Sequence, residues 1–510
     1  MLVRVAILIM ATPAVAQPVF TPVEVPVHQY TGGWEHFVGG GVAVLDCNQD
    51  MLPDLFVAGG ESPALLLKNT TRTRGGPLGF TKADLPEITN TIGAYPLDID
   101  SDGFMDLAVL RVGENLLLKG GPDCTFTPFS GLGFASGEHW TTAFSATWEG
   151  GNALPTMAFG NYVDRANPDG PFGTCESNFL YRPEGGNYGQ PEALDPGYCA
   201  LSMLFTDWGQ NGRADLRVSN DRHYYPAGGA EQLWAMEPQP RLYSEAEGWR
   251  PYHLWGMGIA SRDLDGDGRA EVFLSSMGDQ HLQTLEAGNT PSYADATYAR
   301  GTTAHRPYTG EDGRPSTGWH IAFGDAQNDG LDDVFIAKGN VQEMPGLAMQ
   351  DPNNLLLQQP DGRFTEAGLA AGLADMARAR GAAFEDLNLD GLPDIVVVNR
   401  NAPLRVYQNQ TKPAGHWLLL DLQQPAPNAN AIGAFIEITD GHRIWTREIT
   451  AGGGHASGSA VMQHFGLGGA EAVSIRVRLP NEAQSDWQEV GTDQILRINA
   501  SGGVLEIEVL

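Results

Sequence analysis

The 510-residue sequence has few cysteines, few basic residues and, beyond its first sixteen positions, no long apolar run. Its four cysteines suggest two disulfides if the chain is exported. Lys and Arg total 31 against 62 Asp and Glu, and the net charge of −31 disfavours nucleic acid or an anionic membrane surface as a partner. Because no stretch of the mature chain is long and apolar enough to span a bilayer, we expect no membrane insertion.

Familiar catalytic motifs are also absent. The sequence contains no G-x-S-x-G, no H-E-x-x-H, no C-x-x-C and no phosphate-binding G-x-x-x-x-G-K. His455 and Ser457 lie close together in a glycine-rich stretch, but the sequence fixes no acidic partner for them. We therefore interpret this stretch as a polar turn and assign no catalytic residue.

The N-terminus resembles an export signal. A basic start, Met1-Leu-Val-Arg4, precedes an apolar run from Val5 to Met10 and the small-residue site Ala14-Val15-Ala16. These three elements in this order predict a signal peptide over residues 1–16 that is cleaved after Ala16. The mature protein is then periplasmic or extracellular, where calcium is abundant enough to fill weak sites.

What the sequence does contain is a recurring acidic pattern of nine residues, clearest at Asp98-Ile-Asp-Ser-Asp-Gly-Phe-Met-Asp106. Side chains at its first, third, fifth and ninth positions and the carbonyl of the seventh converge on one point if the chain turns sharply at the sixth. The predicted ligands, with the seventh residue contributing its carbonyl, are Asp46, Asn48, Asp50, Leu52 and Asp54; Asp98, Asp100, Asp102, Phe104 and Asp106; Asp207, Asn211, Arg213 and Asp215; Asp263, Asp265, Asp267, Arg269 and Glu271; Asp325, Gln327, Asp329, Leu331 and Asp333; and Asp386, Asn388, Asp390, Leu392 and Asp394.

Calcium fits these loops best, because its flexible shell of six to eight oxygens accepts carboxylates, amides and a carbonyl, whereas zinc prefers His or Cys. We expect up to six Ca²⁺ ions. A single copy would be no more than an acidic turn, but six copies in one frame argue otherwise. Loop 46–54 lacks the glycine and loop 207–215 lacks the third ligand, so we expect both to be weaker sites. A seventh copy at 148–156 carries no carboxylate at its ligand positions and is expected to be metal-free.

The loops recur every fifty to sixty residues, which indicates a repeat architecture. Apolar runs of four to six residues flank each loop and read as buried strands, and two further strands follow in most copies. Four antiparallel strands in each of seven repeats predict an all-β fold, a seven-bladed β-propeller over residues 17–412. The last repeat lacks its fourth strand, and Val19-Phe20-Thr21 is expected to supply it.

Strand order also assigns the cysteines to faces of the propeller. Cys47 and Cys124 fall in connections on the metal-loop face, whereas Cys175 and Cys199 fall on the other face. We therefore predict the disulfides Cys47–Cys124 and Cys175–Cys199, with a free, buried Cys47 as the alternative.

Long insertions fall on the face opposite the metal loops and carry many aromatic residues. They span 160–177, 219–231, 276–318 and 339–353, and they include His223, Tyr224, Tyr225, Tyr293, Tyr298, His305 and Tyr308. Long loops on a rigid scaffold are common binding sites, so we expect a protein or glycan ligand there. The alternative is that these loops only cover apolar strand ends.

After residue 412 the repeat stops, and alternating apolar residues predict a small antiparallel β domain over 415–510. Asn430-Ala-Ile-Gly-Ala434, Gly452-Gly-Gly454 and His464-Phe-Gly-Leu-Gly468 resemble the ASPIC/UnbV domain, although Leu479-Pro480 replaces that family's Trp-Pro. The repeats resemble FG-GAP (VCBS) repeats of the integrin-alpha type. Together they resemble the cartilage acidic protein family and its bacterial relatives, which implies an exported calcium-binding propeller without an assigned activity.

Two functions remain open at this stage. The first is a binding or adhesion module whose blades are stiffened by calcium. The second is an enzyme that acts on a small exported metabolite or sugar in the axial funnel, where the inner strands begin near His36, His139, Trp140, His253, Trp255, Trp319, His320, Arg378 and Arg380. A purely structural role is a third alternative.

Overall fold

The computed structural model of the protein describes residues 16–167, 173–221, 229–480 and 484–510. Within these ranges the chain is almost entirely β-structure, which confirms the predicted all-β class. Apart from Ala16, the predicted signal peptide lies outside the described residues, as do His223, Tyr224 and Tyr225. No helix in the described ranges is long and apolar enough to cross a membrane.

The described residues before position 412 form thirty strands. In chain order they are β1 (Phe20–Val23), β2 (Val42–Leu45), β3 (Asp54–Val57), β4 (Leu65–Asn69), β5 (Phe80–Lys82), β6 (Thr91–Leu97), β7 (Asp106–Gly113), β8 (Leu116–Gly121), β9 (Thr125–Pro128), β10 (His139–Thr147), β11 (Thr156–Asn161), β12 (Asn178–Tyr181), β13 (Pro183–Glu184), β14 (Asn187–Tyr188), β15 (Glu192–Leu194), β16 (Ala200–Thr206), β17 (Asp215–Asn220), β18 (Gln232–Ala235), β19 (Arg241–Leu242), β20 (Gly256–Arg262), β21 (Glu271–Ser276), β22 (His281–Leu285), β23 (Tyr293–Asp295), β24 (Gly318–Gly324), β25 (Asp333–Lys338), β26 (Asn354–Gln358), β27 (Phe364–Glu366), β28 (Arg378–Glu385), β29 (Asp394–Arg400) and β30 (Arg405–Asn409). The short helices are α1 (Thr297–Arg300) and α2 (Gly368–Ala371), with 3₁₀ turns at Trp34–His36, Pro122–Cys124 and Glu245–Glu247.

These strands pair antiparallel in groups of four, apart from β13 and β14, which form a separate two-stranded sheet. The groups are β2 to β5, β6 to β9, β10 to β12 with β15, β16 to β19, β20 to β23, β24 to β27, and β28 to β30 with β1. In the last group the N-terminal strand β1 pairs with β30, so that Phe20 lies opposite Asn409. The first strands of the groups contact each other in chain order, and β28 contacts β2.

The core lies between neighbouring groups. Strand β2 is buried along its whole length because both of its faces are covered. Ala43 and Leu45 of β2 pack in one cluster with Ala94 of β6 and Leu107 of β7. Strands buried on both faces read as continuous apolar runs, which is the pattern that the sequence shows around each loop.

Both predicted disulfides are confirmed. Cys47 is bonded to Cys124 with a Cα–Cα distance of 4.7 Å, and Cys175 is bonded to Cys199 with a distance of 4.9 Å. The alternative of a free Cys47 is therefore wrong. Cys47, Asp54 and Cys124 lie close enough together to resemble a metal cluster, but the disulfide removes both thiolates as ligands.

The C-terminal segment forms two four-stranded sheets around their own apolar core. Its strands are β31 (His416–Gln423), β32 (Phe435–Thr439), β33 (Ile444–Glu448), β34 (Gly458–Ala460), β35 (Gln463–Gly468), β36 (Ala472–Arg478), β37 (Gln488–Gly491), β38 (Gln494–Ser501) and β39 (Val504–Val509). The prediction of a purely antiparallel domain is wrong, since β31 and β38 pair in parallel. The chain passes through the second sheet between these two strands and so returns in the same direction. Strand β34 leaves the domain and pairs in parallel with β2.

Candidate metal loops and the axial loop

Each of the six predicted metal loops joins the first two strands of a four-stranded group. The loops lie between β2 and β3, β6 and β7, β16 and β17, β20 and β21, β24 and β25, and β28 and β29. The seventh copy, residues 148–156, joins β10 and β11 in the same way. Because strand direction alternates within each antiparallel group, all seven loops share one face.

In all six loops the first aspartate accepts a hydrogen bond from the backbone N–H of the sixth residue. In loop 98–106, Gly103 donates to Asp98 at 2.9 Å. The other five loops repeat this contact at 2.7–3.0 Å, with donors Met51, Gly212, Gly268, Gly330 and Gly391. The sixth residue has a φ of 72–91° in every loop, which favours glycine. Met51 adopts this conformation as well, so loop 46–54 keeps the geometry although it lacks the glycine.

The ninth residue connects the loop to its own start and to the third strand. The Asp106 carboxylate accepts the N–H of Ile99 at 2.8 Å and the N–H of Gly120 at 2.8 Å. Asp54, Asp333 and Asp394 each accept the same two bonds. Backbone donors therefore fix the loop, and in loops 46–54, 325–333 and 386–394 the fifth aspartate also accepts the side-chain amide of the third residue.

The third position provides the clearest sign of a missing partner. Asp100 Oδ1, Gln327 Oε1 and Asn388 Oδ1 are buried and accept no hydrogen bond from any described residue. Gln327 and Asn388 are fully buried, and a buried acceptor without a donor costs about 1–3 kcal/mol. Carboxylate oxygens of Asp98, Asp100 and Asp106 lie within 4.8 Å of one another, as do those of Asp263, Asp265 and Glu271. An oxygen-only set of this kind fits a hard cation such as Ca²⁺.

Burial perturbs the acids of these loops strongly. Desolvation, with a smaller contribution from neighbouring carboxylates, raises the pKa of Asp98 to about 6 and the pKa of Asp106 to about 8. Desolvation likewise raises the pKa of Asp263 to about 6 and that of Glu271 to about 8. When no cation is bound, burial therefore disfavours the ionised form of these carboxylates. A divalent ion coordinated by their oxygens would lower this free-energy cost.

Loop 207–215 departs from the other five. The Asp215 carboxylate already accepts bonds from Trp208 Nε1 at 2.8 Å, Tyr243 Oη at 2.8 Å and Arg213 Nε at 3.0 Å. Arg478 also lies 3.6 Å from Asp207. These protein donors occupy oxygens that a metal ion would use, in keeping with the expectation that this is a weaker site.

Sequence reasoning missed the role of residues 451–457, which we call the axial loop. This loop extends from the C-terminal domain between the first strands of the seven four-stranded groups and contacts each of these strands. The partners are Gly39 and Val42 at β2, Tyr95 of β6, Ser145 and Ala146 of β10, Met203 of β16, Ile259 of β20, His320 of β24 and Gly381 of β28. The chain itself therefore lies between the first strands, and a cavity lined by residues that include Ile259, His320 and Gly454 lies beside it.

The predicted polar turn at His455 and Ser457 is buried, a feature that the sequence did not indicate. The His455 backbone N–H donates to His320 Nδ1 at 3.0 Å, and the His455 ring lies 5.0 Å from the Trp319 ring. Ser457 Oγ accepts the N–H of Val42 at 3.0 Å. Only the run of three glycines before His455 hinted at so close an approach to other backbone.

Burial makes His320 a source of acid sensitivity. Desolvation lowers the pKa of His320 from 6.5 to about 4, and the ring is held neutral. Because the pKa of His320 is lower in the folded state than in the unfolded state, the neutral ring contributes fully to the free energy of unfolding above pH 6.5. This contribution is lost as the pH falls towards 4. The contribution is on the order of 3 kcal/mol.

We expect His320→Asn, which cannot be protonated but retains an acceptor near the Nδ1 position, to flatten the decrease of the unfolding free energy between pH 6.5 and pH 4. Urea unfolding of both proteins across this range measures the effect. Equal pH dependence in the two proteins would contradict the assignment.

The C-terminal domain lies on the metal-loop face. Arg443 Nη1 and Trp445 Nε1 donate to the carbonyl of Gly330 at 2.6 and 3.0 Å, in loop 325–333. Glu448 accepts the N–H of Asp207 at 2.8 Å. The metal loops are therefore partly covered by this domain.

Comparison with known families identifies both parts of the chain. Residues 424–504 match the family model ASPIC and UnbV, and residues 46–109 match the FG-GAP-like repeat. The C-terminal segment is thus similar to ASPIC and UnbV, and the segment 46–109 is similar to an FG-GAP-like repeat. The ASPIC/UnbV domain includes the axial loop, and the matched FG-GAP-like residues include the whole of loops 46–54 and 98–106. The resemblance seen in the sequence is thereby confirmed.

Two curated relatives are cartilage acidic protein 1 of Homo sapiens, 29% identical over 160 residues, and that of Mus musculus, 29% identical over 157 residues. Each alignment covers 30% of this chain, and the chain spans only 22% of the length of either relative. Among solved structures, BBS1N in complex with ARL6DN aligns over 77% of this chain and 97% of that chain at 9% identity, with a TM-score of 0.44. A lectin from Agrocybe aegerita that recognises terminal N-acetylglucosamine aligns over 73% of this chain and 94% of that chain at 15% identity, with a TM-score of 0.39.

Proposed function

We propose that the protein is an exported, calcium-dependent binding module built on a closed seven-bladed propeller. The four-stranded groups, the contact between β28 and β2 and the pairing of β1 with β30 support the blade count and the closure. Export is supported by two disulfides, which persist in oxidising compartments.

The observation that carries the calcium proposal is the shared framework of the loops, in which the third-position oxygens of Asp100, Gln327 and Asn388 are left without a donor. Oxygen ligands of this number and type suit Ca²⁺. Bound ions would connect the first two strands of a blade at the face on which the ASPIC/UnbV domain lies. Calcium would therefore stabilise both the blades and the docking of that domain.

The ligand surface that we propose is the face opposite the metal loops. Connections between second and third strands and between blades lie there, and in the described part of the chain they expose two large aromatic side chains, Trp34 at 43% and Tyr298 at 69%. Tyr298 Oη donates to Asp279 at 2.6 Å, and His305 Nδ1 lies 2.7 Å from the same carboxylate. Exposed aromatic rings beside carboxylates are suited to a protein or glycan ligand. Tyr293 does not belong to this surface, because it is buried beside Arg217.

Binding to an array of extracellular glycans and purified matrix proteins, in millimolar Ca²⁺, tests this surface. We expect the double variant Trp34→Ala/Tyr298→Ala to lose at least about tenfold in affinity for the ligand that the array identifies, since aromatic anchors often contribute more than 1.4 kcal/mol. Trp487→Ala is the matched control, because Trp487 is 38% exposed on the ASPIC/UnbV domain. If Trp487→Ala alone loses binding, the ligand binds the C-terminal domain, and this proposal is contradicted.

A further inference from the structure

One position on the third strand of every group lies directly across from the ninth residue of the loop. In the second group, Leu107 pairs with Leu118, so the next residue, Lys119, lies opposite Asp106. The same step places Arg182 opposite Thr156 in the third group, because Met157 pairs with Tyr181. The corresponding residues in the first, fourth, fifth, sixth and seventh groups are Lys68, Ala235, Thr284, Leu357 and Gln408.

In the second group this position carries a cation that lies among the metal ligands. Lys119 Nζ contacts Asp102 Oδ2 at 2.7 Å and also contacts Asp100 Oδ2. Asp100 and Asp102 are the third and fifth predicted ligands of loop 98–106. The ammonium group therefore neutralises the oxygens that a divalent ion would bind.

In the third group, whose loop lacks the metal-ligand carboxylates, an arginine fills the same position. Arg182 Nε and Nη2 donate to Glu149 Oε2 and Oε1 at 2.8 and 3.0 Å. Glu149 follows the first position of this loop, and its Oε2 also accepts the Thr156 hydroxyl at 2.7 Å. The guanidinium and Glu149 thus connect the start of the loop, its ninth residue and the third strand, as the ninth carboxylate connects the loop start and the third strand in loops 46–54, 98–106, 325–333 and 386–394.

We propose that this third-strand position holds a built-in counter-ion that sets how far each loop depends on calcium. Lys119 competes with the divalent ion for Asp100 and Asp102, and Arg182 replaces the ion in loop 148–156. The groups with Ala235, Thr284, Leu357 or Gln408 at this position have no such cation there. This inference rests on the proposed calcium function, and it predicts that the loops differ in how far their stability depends on calcium.

Calcium titration calorimetry of the full chain after chelation tests the first part. We expect Lys119→Met to tighten one class of site roughly tenfold, because one partly screened charge no longer competes. This increase in Ca²⁺ affinity should be absent when Lys119→Met is combined with Asp98→Ala, which removes the first predicted ligand of loop 98–106. Lys68→Met is the matched control, because Lys68 occupies the same position and forms no ion pair in the described part of the chain.

The two failures are distinguishable. If the wild type takes up no Ca²⁺, the proposed function is wrong, whereas if it binds Ca²⁺ and Lys119→Met gives the same isotherm as wild type, only the counter-ion proposal is overturned. For the third group, we expect Arg182→Met to lower the melting temperature equally in Ca²⁺ and in EDTA. Arg182→Lys, which keeps a charge, should show a smaller decrease that is again independent of calcium. A decrease seen only in Ca²⁺ would overturn the replacement of the ion by Arg182.

Discussion

Chelation of calcium with EDTA is expected to lower the melting temperature of the protein substantially. When the free Ca²⁺ concentration is a hundred times the dissociation constant of a site, the bound ion stabilises the folded state by about 2.7 kcal/mol. An unfolding entropy of about 2.1 cal/mol/K per residue makes one kcal/mol equivalent to roughly 1 °C for a chain of 510 residues. Loss of four such sites therefore predicts a decrease of about 10 °C, and restoring millimolar Ca²⁺ should reverse it.

A single ligand substitution should reproduce part of this loss. Asp263→Ala removes a first-position carboxylate that also accepts the backbone N–H of Gly268 at 3.0 Å. We expect it to lower the melting temperature in Ca²⁺ and to have a smaller effect in EDTA, where no ion remains to be lost. Asp84→Ala, at an exposed aspartate outside the loops, should leave both melts unchanged. Equal decreases for Asp263→Ala with and without calcium would show that the carboxylate acts only through its hydrogen bonds.

Addition of one methyl group against the axial loop is the second change with a large expected effect. A Cβ at position 93 would lie 1.9 Å from the carbonyl oxygen of Ala456, which is backbone and cannot rotate away. Gly93 does not have a positive φ, so the alanine conflicts with the loop and not with its own backbone. Overpacking of this kind costs about 1–3 kcal/mol or more. We expect Gly93→Ala to displace the axial loop and to weaken docking of the ASPIC/UnbV domain.

Gly189→Ala is the matched control, since no atom lies within 4 Å of its added Cβ. Urea unfolding measures the stability of both variants, and limited proteolysis measures exposure of the axial loop. Faster cleavage near residues 451–457 in Gly93→Ala alone is the expected result. If Gly93→Ala unfolds and is cleaved like wild type, the axial loop does not lie between the first strands in solution.

The metal loops were predictable from the sequence because their geometry is local. The first aspartate and its backbone donor are five residues apart, so spacing alone specifies the contact between Asp98 and Gly103. The disulfides followed from strand parity for a similar reason, because each strand reverses direction and so assigns a connection to one face. Met51 adopted the glycine-like conformation because the surrounding hydrogen bonds, not the residue type alone, determine it.

The axial loop was not predictable, because its contacts join residues far apart in the chain. His455 and His320 are 135 positions apart, and no local pattern marks them as partners. The parallel pairing of β31 with β38 was missed for the same reason, since alternation indicates a strand but not its direction. Tyr293 appeared to be a surface aromatic residue, but it packs with Arg217 and Trp249, which lie in other parts of the sequence.

A crystal structure of the full chain grown in millimolar Ca²⁺ tests the central claim most directly. The account predicts density for an ion in loops 98–106, 263–271, 325–333 and 386–394, at about 2.3–2.6 Å from the carboxylate, amide and seventh-residue carbonyl oxygens. Weaker density is expected in loops 46–54 and 207–215, and none in loop 148–156, which Arg182 contacts through Glu149. Empty loops under these conditions would contradict the proposal that calcium stabilises the blades.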